Sequence, residues 1–115
     1  MKGLCMDPSP DIPSHQAAKL LSDPNYIWVD IREKEEWNFG HLPNMIHLPL
    51  SMLTNADFDQ FSKDKQIVLV CRTGNRSGMA TQTLRGMGCL NVWNLEYGLV
   101  ALNTELKEKV PILMH

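Results

Sequence analysis

Residues 70–88 read VCRTGNRSGMATQTLRGMG and place one cysteine and two arginines within seven positions, where an apolar run gives way to a helical pattern. A thiol acts as a nucleophile through its thiolate. The segment 71–77, CRTGNRS, supplies several features that favour that form. A loop between a strand and a helix can curl its backbone N–H groups inward as an anion nest. Gly74 helps because it tolerates backbone angles that other residues resist, and Asn75 is one of the few others that tolerate them. The start of the following helix adds partial positive charge, and Arg72 and Arg76 add two full charges. Cys71 is therefore a candidate nucleophile, and the same arginines would steer an anionic substrate towards it. The competing reading makes Cys71 a small core residue at the end of a buried strand. That reading gives no reason for two arginines and a Gly-Asn turn directly after it.

The elements that must position this loop can be read on either side of it. IVLV (67–70) is four consecutive apolar residues, the mark of a strand buried on both faces in a parallel sheet. Ser77 to Met87 reads as a helix, with Ala80, Leu84 and Met87 at i, i+4 and i+7, Met79 beside them as packing, and Gly88 placed to end it. Upstream, SHQAAKLLSD (14–23) reads as a short helix capped by Ser14, with Pro24 beyond it. YIWV (26–29) is a short strand followed by Asp30. EKEEWNF (33–39) is one or two helical turns stopped by Gly40, and MIHL (45–48) is another strand. A helix is expected around 54–62, with Leu53, Phe58 and Phe61 facing inward. VWNL (92–95) is a last strand and 98–109 a last helix.

Strands alternating with helices imply an α/β domain. Its fold class is a mainly parallel central sheet of four to five strands, flanked by helices on both faces. Ligands in such sheets sit beyond the carboxyl ends of the strands, where Cys71 falls. The 115 residues suit one domain over 1–115, with an irregular lead-in over about 1–12.

Composition narrows the function classes. The net charge of −2 provides no global basic field for nucleic acid or anionic lipid. No run is long enough to span a bilayer, and MKGLCMDPSP lacks the apolar core of a secretory signal, so a cytoplasmic location is expected. The three cysteines, Cys5, Cys71 and Cys89, are far apart and odd in number, which argues against a disulfide scaffold. The four histidines make no metal-ligand spacing with them.

The loop resembles that of the rhodanese sulfurtransferases, and the likeness runs over roughly residues 10–105. CRTGNRS matches the family's active loop, C-R-x-G-x-R-[ST], at every defined position. DIREKEEWNFGHLPNMIHLPL (30–50) resembles its second signature through Asp30, Arg32, Glu36, Trp37, Gly40, His41, Leu42 and Pro43. VWNLEYG (92–98) resembles the strand and turn that close the family's domain. The resemblance implies a cysteine persulfide on Cys71, charged by a small anionic donor such as thiosulfate or by a protein persulfide. A thiol or cyanide would then discharge it in a ping-pong cycle. It implies no cofactor and no metal. Arg72, Thr73, Gly74, Asn75, Arg76 and Ser77 would form the substrate cradle.

Two other functions fit the same fold. One is a catalytically silent binding module. The other is a phosphatase or arsenate reductase, but in the family these use C-x5-R, one residue longer than the C-x4-R from Cys71 to Arg76. The chain departs from the family pattern at Asn44-Met45, Tyr97-Gly98 and Leu102, positions of packing and pocket rim.

Asp30 is expected to hydrogen-bond a loop arginine or to cap the helix after it, and Arg32 to lend charge to the entrance. His41 and His47 are not expected to form a dyad with Cys71, because the loop already supplies what a base would supply. Trp28 and Trp37 read as core or near-core, and Trp93 as buried. Cys89 could resolve the persulfide but fits an idle thiol better, and Cys5 reads as exposed. Glu33, Glu35 and Glu36 read mostly as a solvated face.

Overall fold

In the computed structural model, which describes residues 9–53 and 64–113, five strands form one sheet in the order β1-β5-β4-β2-β3. Their ranges are β1 Asp11–Ile12, β2 Tyr26–Asp30, β3 Ile46–His47, β4 Gln66–Val70 and β5 Val92–Leu95. All four pairings are parallel. The helices are α1 Ser14–Leu20, α2 Lys34–Phe39, α3 Asn75–Gly86 and α4 Gly98–Leu102. Short 3-10 turns cover Leu50–Met52 and Asn103–Glu105.

The IVLV run lies at the centre of the sheet, and Ile67, Val68, Leu69 and Val70 are all buried. Alternation along the strands separates two cores. Trp28, Val68, Val70 and Leu95 pack with Ala17 of α1 and Leu99 and Leu102 of α4. Val29, Ile67, Leu69, Val92 and Cys71 pack with Leu84 of α3. Helices thus cover both faces, as a parallel sheet requires. Met45 and Leu102, two of the departures from the family pattern, both lie in the first core.

The sheet also decides where the loop goes. β4 lies between β2 and β5; the chain runs outward from β2 to β3 on one side and from β4 to β5 on the other, so strand order reverses between β2 and β4. The carboxyl end of β4 therefore borders the crevice where strand order reverses, and Cys71 is the first residue beyond it.

Several expectations are corrected. The lead-in is not wholly irregular: Asp11 and Ile12 add an edge strand to β5, with the Asn94 N–H donating to Pro10 O at 2.8 Å and the Glu96 N–H to Ile12 O at 2.9 Å. Ser14 is not a cap. Pro13 occupies that position, and its carbonyl accepts the Gln16 and Ala17 N–H groups. The last helix is shorter than 98–109 because the Asn103 side chain binds both the N–H and the carbonyl of Val110, which folds the chain back. Lys109 Nζ then donates to the carbonyls of Asn103 and Leu106. Trp93 is half-buried: its indole N–H donates to Gln66 at 2.7 Å and Arg85 covers its ring at 4.7 Å. Met79 and Met87 do not pack inside. They are 73% and 56% exposed, because the inward stripe of α3 is Ser77, Thr81 and Leu84. The helix expected around 54–62 and Cys5 lie outside the described residues.

One glycine ties α4 to the loop. Gly98 is buried with φ of 62°, and a methyl group there would overlap the carbonyls of Cys71 and Arg72. Gly98→Ala is expected to destabilise the chain by about 2–4 kcal/mol, from left-handed strain plus the overlap. Urea unfolding of variant and wild type measures this, and a loss under about 1 kcal/mol would contradict the packing described.

Candidate functional site

Cys71 is fully buried, and its sulfur lies where the next helix needs an acceptor. α3 begins at Asn75, two residues earlier than its apolar pattern implies, and its cap residue has no side chain to offer. Gly74 holds the cap position with φ of 90°, in the left-handed region, and a methyl group there would sit 2.8 Å from the Tyr97 nitrogen. The first amides of a helix have no partner within it. Here the sulfur takes that part: the Gly74 N–H donates to Cys71 Sγ at 3.1 Å and the Ser77 N–H at 3.4 Å. Ser77 Oγ lies 3.3 Å from the same sulfur.

The outer side of the loop is held by α4. The Leu99 N–H donates to the Cys71 carbonyl at 2.9 Å and the Val100 N–H to the Arg72 carbonyl at 3.0 Å. In a planar trans peptide the C=O and N–H point in opposite directions. The amides of Arg72 and Thr73 share those peptide units, so they are turned away from α4. Two helix starts therefore meet at this loop, one giving amides to the sulfur and the other to the loop's carbonyls.

The charges are arranged differently from the expectation. Arg76 forms a two-pronged pair with Glu36, Nη1 to Oε1 at 2.7 Å and Nη2 to Oε2 at 2.9 Å. Glu36 is therefore not part of a solvated face. It is buried, and it closes a capping box at the start of α2 with Glu33, whose N–H donates to Glu36 Oε1 at 3.1 Å. The Arg76 hydrogen bonds pull the Glu36 carboxyl down to about 2, with the Glu33 amide and the charges of Arg76 and Arg32 helping and burial opposing. Glu36 in turn raises Arg76 above its ordinary value, chiefly through the same hydrogen bonds, and the Cys71 charge adds to this.

Asp30 does not reach the loop arginines. It is fully buried and bound to Arg32, which is equally buried: Nε lies 3.0 and 3.1 Å from its two oxygens, Nη2 2.8 Å from Oδ2, and the Arg32 N–H 3.1 Å from Oδ1. Arg32 Nη2 also donates to the Gly40 carbonyl at 2.8 Å. The pair joins the end of β2 to the end of α2, and Arg32 lends no exposed charge to an entrance. The N-cap of α2 is Glu33, not Asp30. His41 and His47 are engaged elsewhere: both stack on Trp37, with ring centroids 3.6 and 4.6 Å away, and their ring nitrogens meet the carbonyls of Trp37 and Arg32.

Thr73 and Asn75 are exposed, and Arg72, Gly74 and Arg76 are half-buried around the sulfur. Among the described residues, Cys71 and Cys89 are free thiols, and no group of three or more His, Cys, Asp or Glu side chains is placed to hold a metal ion. No helix among them is long and apolar enough to cross a membrane.

A rhodanese-like domain matches residues 14–105, a range that holds the Cys71 loop, α3 and the closing β5-α4 turn. The chain belongs to the rhodanese family. Among its relatives, an adenylyltransferase and sulfurtransferase from Ogataea parapolymorpha is 34% identical over 73% of this chain and 22% of its own length. A putative sulfur carrier protein, YrkF, from Bacillus subtilis is 31% identical over 70% of this chain and 43% of its own. The chain thus spans less than half the length of these two relatives, both named for sulfur-transfer roles. The crystal structure of a rhodanese-related protein from Thermoplasma volcanium superimposes with a TM-score of 0.73 at 28% identity, covering 87% of this chain and 95% of that one.

Two residues around the Cys71 loop have roles that the sequence does not show. Glu36 matched the family signature but sat in an acidic run. Asn94, buried on β5, accepts the Ser77 hydroxyl at 2.5 Å. Its signal was a polar residue at an inward-facing position of the apolar strand VWNL.

The Glu36–Arg76 pair predicts a pH dependence. The Glu36 carboxyl lies at about 2 when folded, against an ordinary 4.5, so the pair's contribution is complete above pH 4.5 and is lost as pH falls towards 2. Glu36→Gln is expected to cost about 1–2 kcal/mol at neutral pH, discounted because Arg76 is one-third exposed. The gap to wild type is expected to narrow as the buffer is acidified through this window. Urea midpoints across the window test this, and a gap independent of pH would refute it.

Proposed function

We propose that the chain is a sulfurtransferase that carries sulfane sulfur on Cys71 as a persulfide. The observation that carries this reading is the pair of amides, from Gly74 and Ser77, aimed at a buried sulfur on the carboxyl end of the central strand. Donors so placed favour negative charge on sulfur without having to reorganise when the reaction occurs.

In the first half-reaction the Cys71 thiolate attacks the outer sulfur of thiosulfate. The sulfur–sulfur bond of the donor breaks, and sulfite leaves with its electron pair. Cys71 then bears one extra sulfur, whose negative charge meets the inward N–H groups of the loop from Arg72 to Ser77. The amides of Arg72 and Thr73, turned away from α4, serve this outer atom. In the second half-reaction cyanide or a thiolate attacks the outer sulfur and the Cys71 thiolate departs. A persulfide on a small thiol or on a protein can replace thiosulfate as donor, and the sulfur-carrier relative supports a protein partner.

Arg72 and Arg76 hold the anionic donor at contact. Two of the five N–H donors of Arg76 are spent on Glu36, and the remaining three are free to serve the substrate. Asp30 and Arg32 support the site at a distance, by fixing the turn that brings α2 and Glu36 across the sheet edge. A reducing compartment such as the cytoplasm suits this chemistry, because the thiol must stay free.

The reading is tested by intact mass after exposure to thiosulfate. Wild type is expected to gain one sulfur atom, which a reductant removes, and Cys71→Ser none. Absence of the gain together with hydrolysis of an aryl phosphate would favour the phosphatase reading. Absence of both, in a folded protein, would favour a binding module.

A further inference from the structure

The Ser77 hydroxyl belongs to a hydrogen-bonded chain that runs from the sulfur to the edge of the sheet. Ser77 Oγ lies 3.3 Å from Cys71 Sγ and 2.5 Å from Asn94 Oδ1. Asn94 Nδ2 donates to Asp11 Oδ1 at 2.9 Å, and Ser9 Oγ donates to the other Asp11 oxygen at 3.0 Å. Ser77 and Asn94 are buried, and the Asn94 amide lies beside Gly78 in the first turn of α3.

The direction of this chain follows from what each group can do. A carboxylate only accepts, so Asp11 must face the Asn94 NH2 group. That turns the Asn94 carbonyl oxygen, which also only accepts, towards Ser77. The single Ser77 proton is then committed to Asn94, and the hydroxyl offers Cys71 a lone pair. A neutral thiol can donate to that lone pair, whereas a thiolate is opposed by it.

We propose that Asn94 is a positioning residue that competes with Cys71 for the Ser77 proton. While Cys71 is a thiol, the hydroxyl points to Asn94 and accepts the S–H. When the thiol gives its proton to solvent, the hydroxyl turns from Asn94 to the sulfur and becomes a third donor beside the Gly74 and Ser77 amides. No proton crosses between Ser77 and Asn94. Once Cys71 carries a second sulfur its inner sulfur is uncharged, and the hydroxyl returns to Asn94. Asn94 thereby holds the resting cysteine in its less reactive form, with Asp11 setting the orientation of the amide. This deepens the role of Cys71 as nucleophile and rests on that reading.

The charged and titratable groups on the elements packed round the loop include Arg72, Arg76 and Arg85 of the loop and α3, Glu33 at the cap of α2 with Lys34, Glu35 and Glu36 in it, Tyr26 and the Asp30–Arg32 pair at β2, Asp11 of β1, and Glu96 and Tyr97 before α4. Exchange of Asn94 alters the charge of none of them.

The test follows the rate of Cys71 alkylation by iodoacetamide against pH, in the full chain with Cys5→Ser and Cys89→Ser so that one thiol reports. Asn94→Leu is expected to move the midpoint of the profile down by about one pH unit, the equivalent of one hydrogen bond gained by the anion. In a Ser77→Ala background the same exchange is expected to move nothing. Asp11→Asn, made on the half-buried edge strand, leaves Asn94 in place but frees its amide to turn. Its downward shift is expected to be smaller and to shrink further in the Ser77→Ala background, which separates it from the loss of a charge. Asp11→Asn decides the matter if Asn94→Leu does not fold. A midpoint that stays or rises, or a shift that survives undiminished without the Ser77 hydroxyl, would overturn the proposal. Alkylation needs no sulfur donor, so this result stands apart from success or failure of the persulfide mass test.

Discussion

Cys71 Sγ serves as the cap of α3, and the rest of the site is arranged round that substitution. A buried backbone amide left without an acceptor is costly, and a helix usually meets the need with a Ser, Thr, Asp or Asn side chain. Here the acceptor arrives from the preceding strand, three residues before the cap position. Gly74 must then take a left-handed conformation to bring the helix start back over the strand end. Gly98 must be a glycine so that α4 can approach the loop's carbonyls. Two helices and the central strand are thus locked by one set of main-chain bonds, and the sulfur cannot be replaced by an ordinary core atom without leaving amides unpaired. The cap that stabilises the fold is also the atom proposed as the nucleophile.

The two ion pairs near the site act at different depths. Asp30 and Arg32 are fully buried, a costly arrangement that holds only because the carboxylate and guanidinium meet at several points and a backbone N–H and carbonyl join in. They set the turn out of β2. That turn carries α2 across the sheet edge, where Glu36 meets Arg76. Trp37, next in sequence, stacks with both His41 and His47 and ties α2 to the segment that follows it. The signature residues over 30–43 therefore act on the loop through α2 and do not line it.

The parts of this design that show in sequence are those that repeat or cluster. IVLV declares a two-sided buried strand, and CRTGNRS concentrates a nucleophile, charge and turn residues in one stretch. The strand of Asp11 and Ile12 is too short to have a period, and it exists because β5 offers a free edge. α3 starts earlier than its apolar face because the face begins only where the helix meets the core, whereas its start is set by the sulfur. Glu36 was obscured by its acidic neighbours, since a single buried carboxylate in such a run needs a distant arginine that sequence alone does not pair with it. Tyr97 stands where the family often has glycine and adopts φ of 61°, so a left-handed residue at the loop rim is kept at a cost of about 1–2 kcal/mol.

The pairing of Arg76 also bears on how the site recognises anything. Net charge at a mouth attracts ions over about a Debye length and favours any anion alike. With Glu36 holding Arg76, much of that long-range attraction is cancelled, and recognition falls to oriented amides and remaining guanidinium donors that act only at contact. Such a site discriminates by fit. The ring from Cys71 to Arg76 is one residue shorter than the C-x5-R loop of the phosphatases. The Gly74 and Ser77 amides already converge on a single sulfur. The same contact ends the strand, starts the helix and fixes the position of the sulfur that any ligand of the loop must meet.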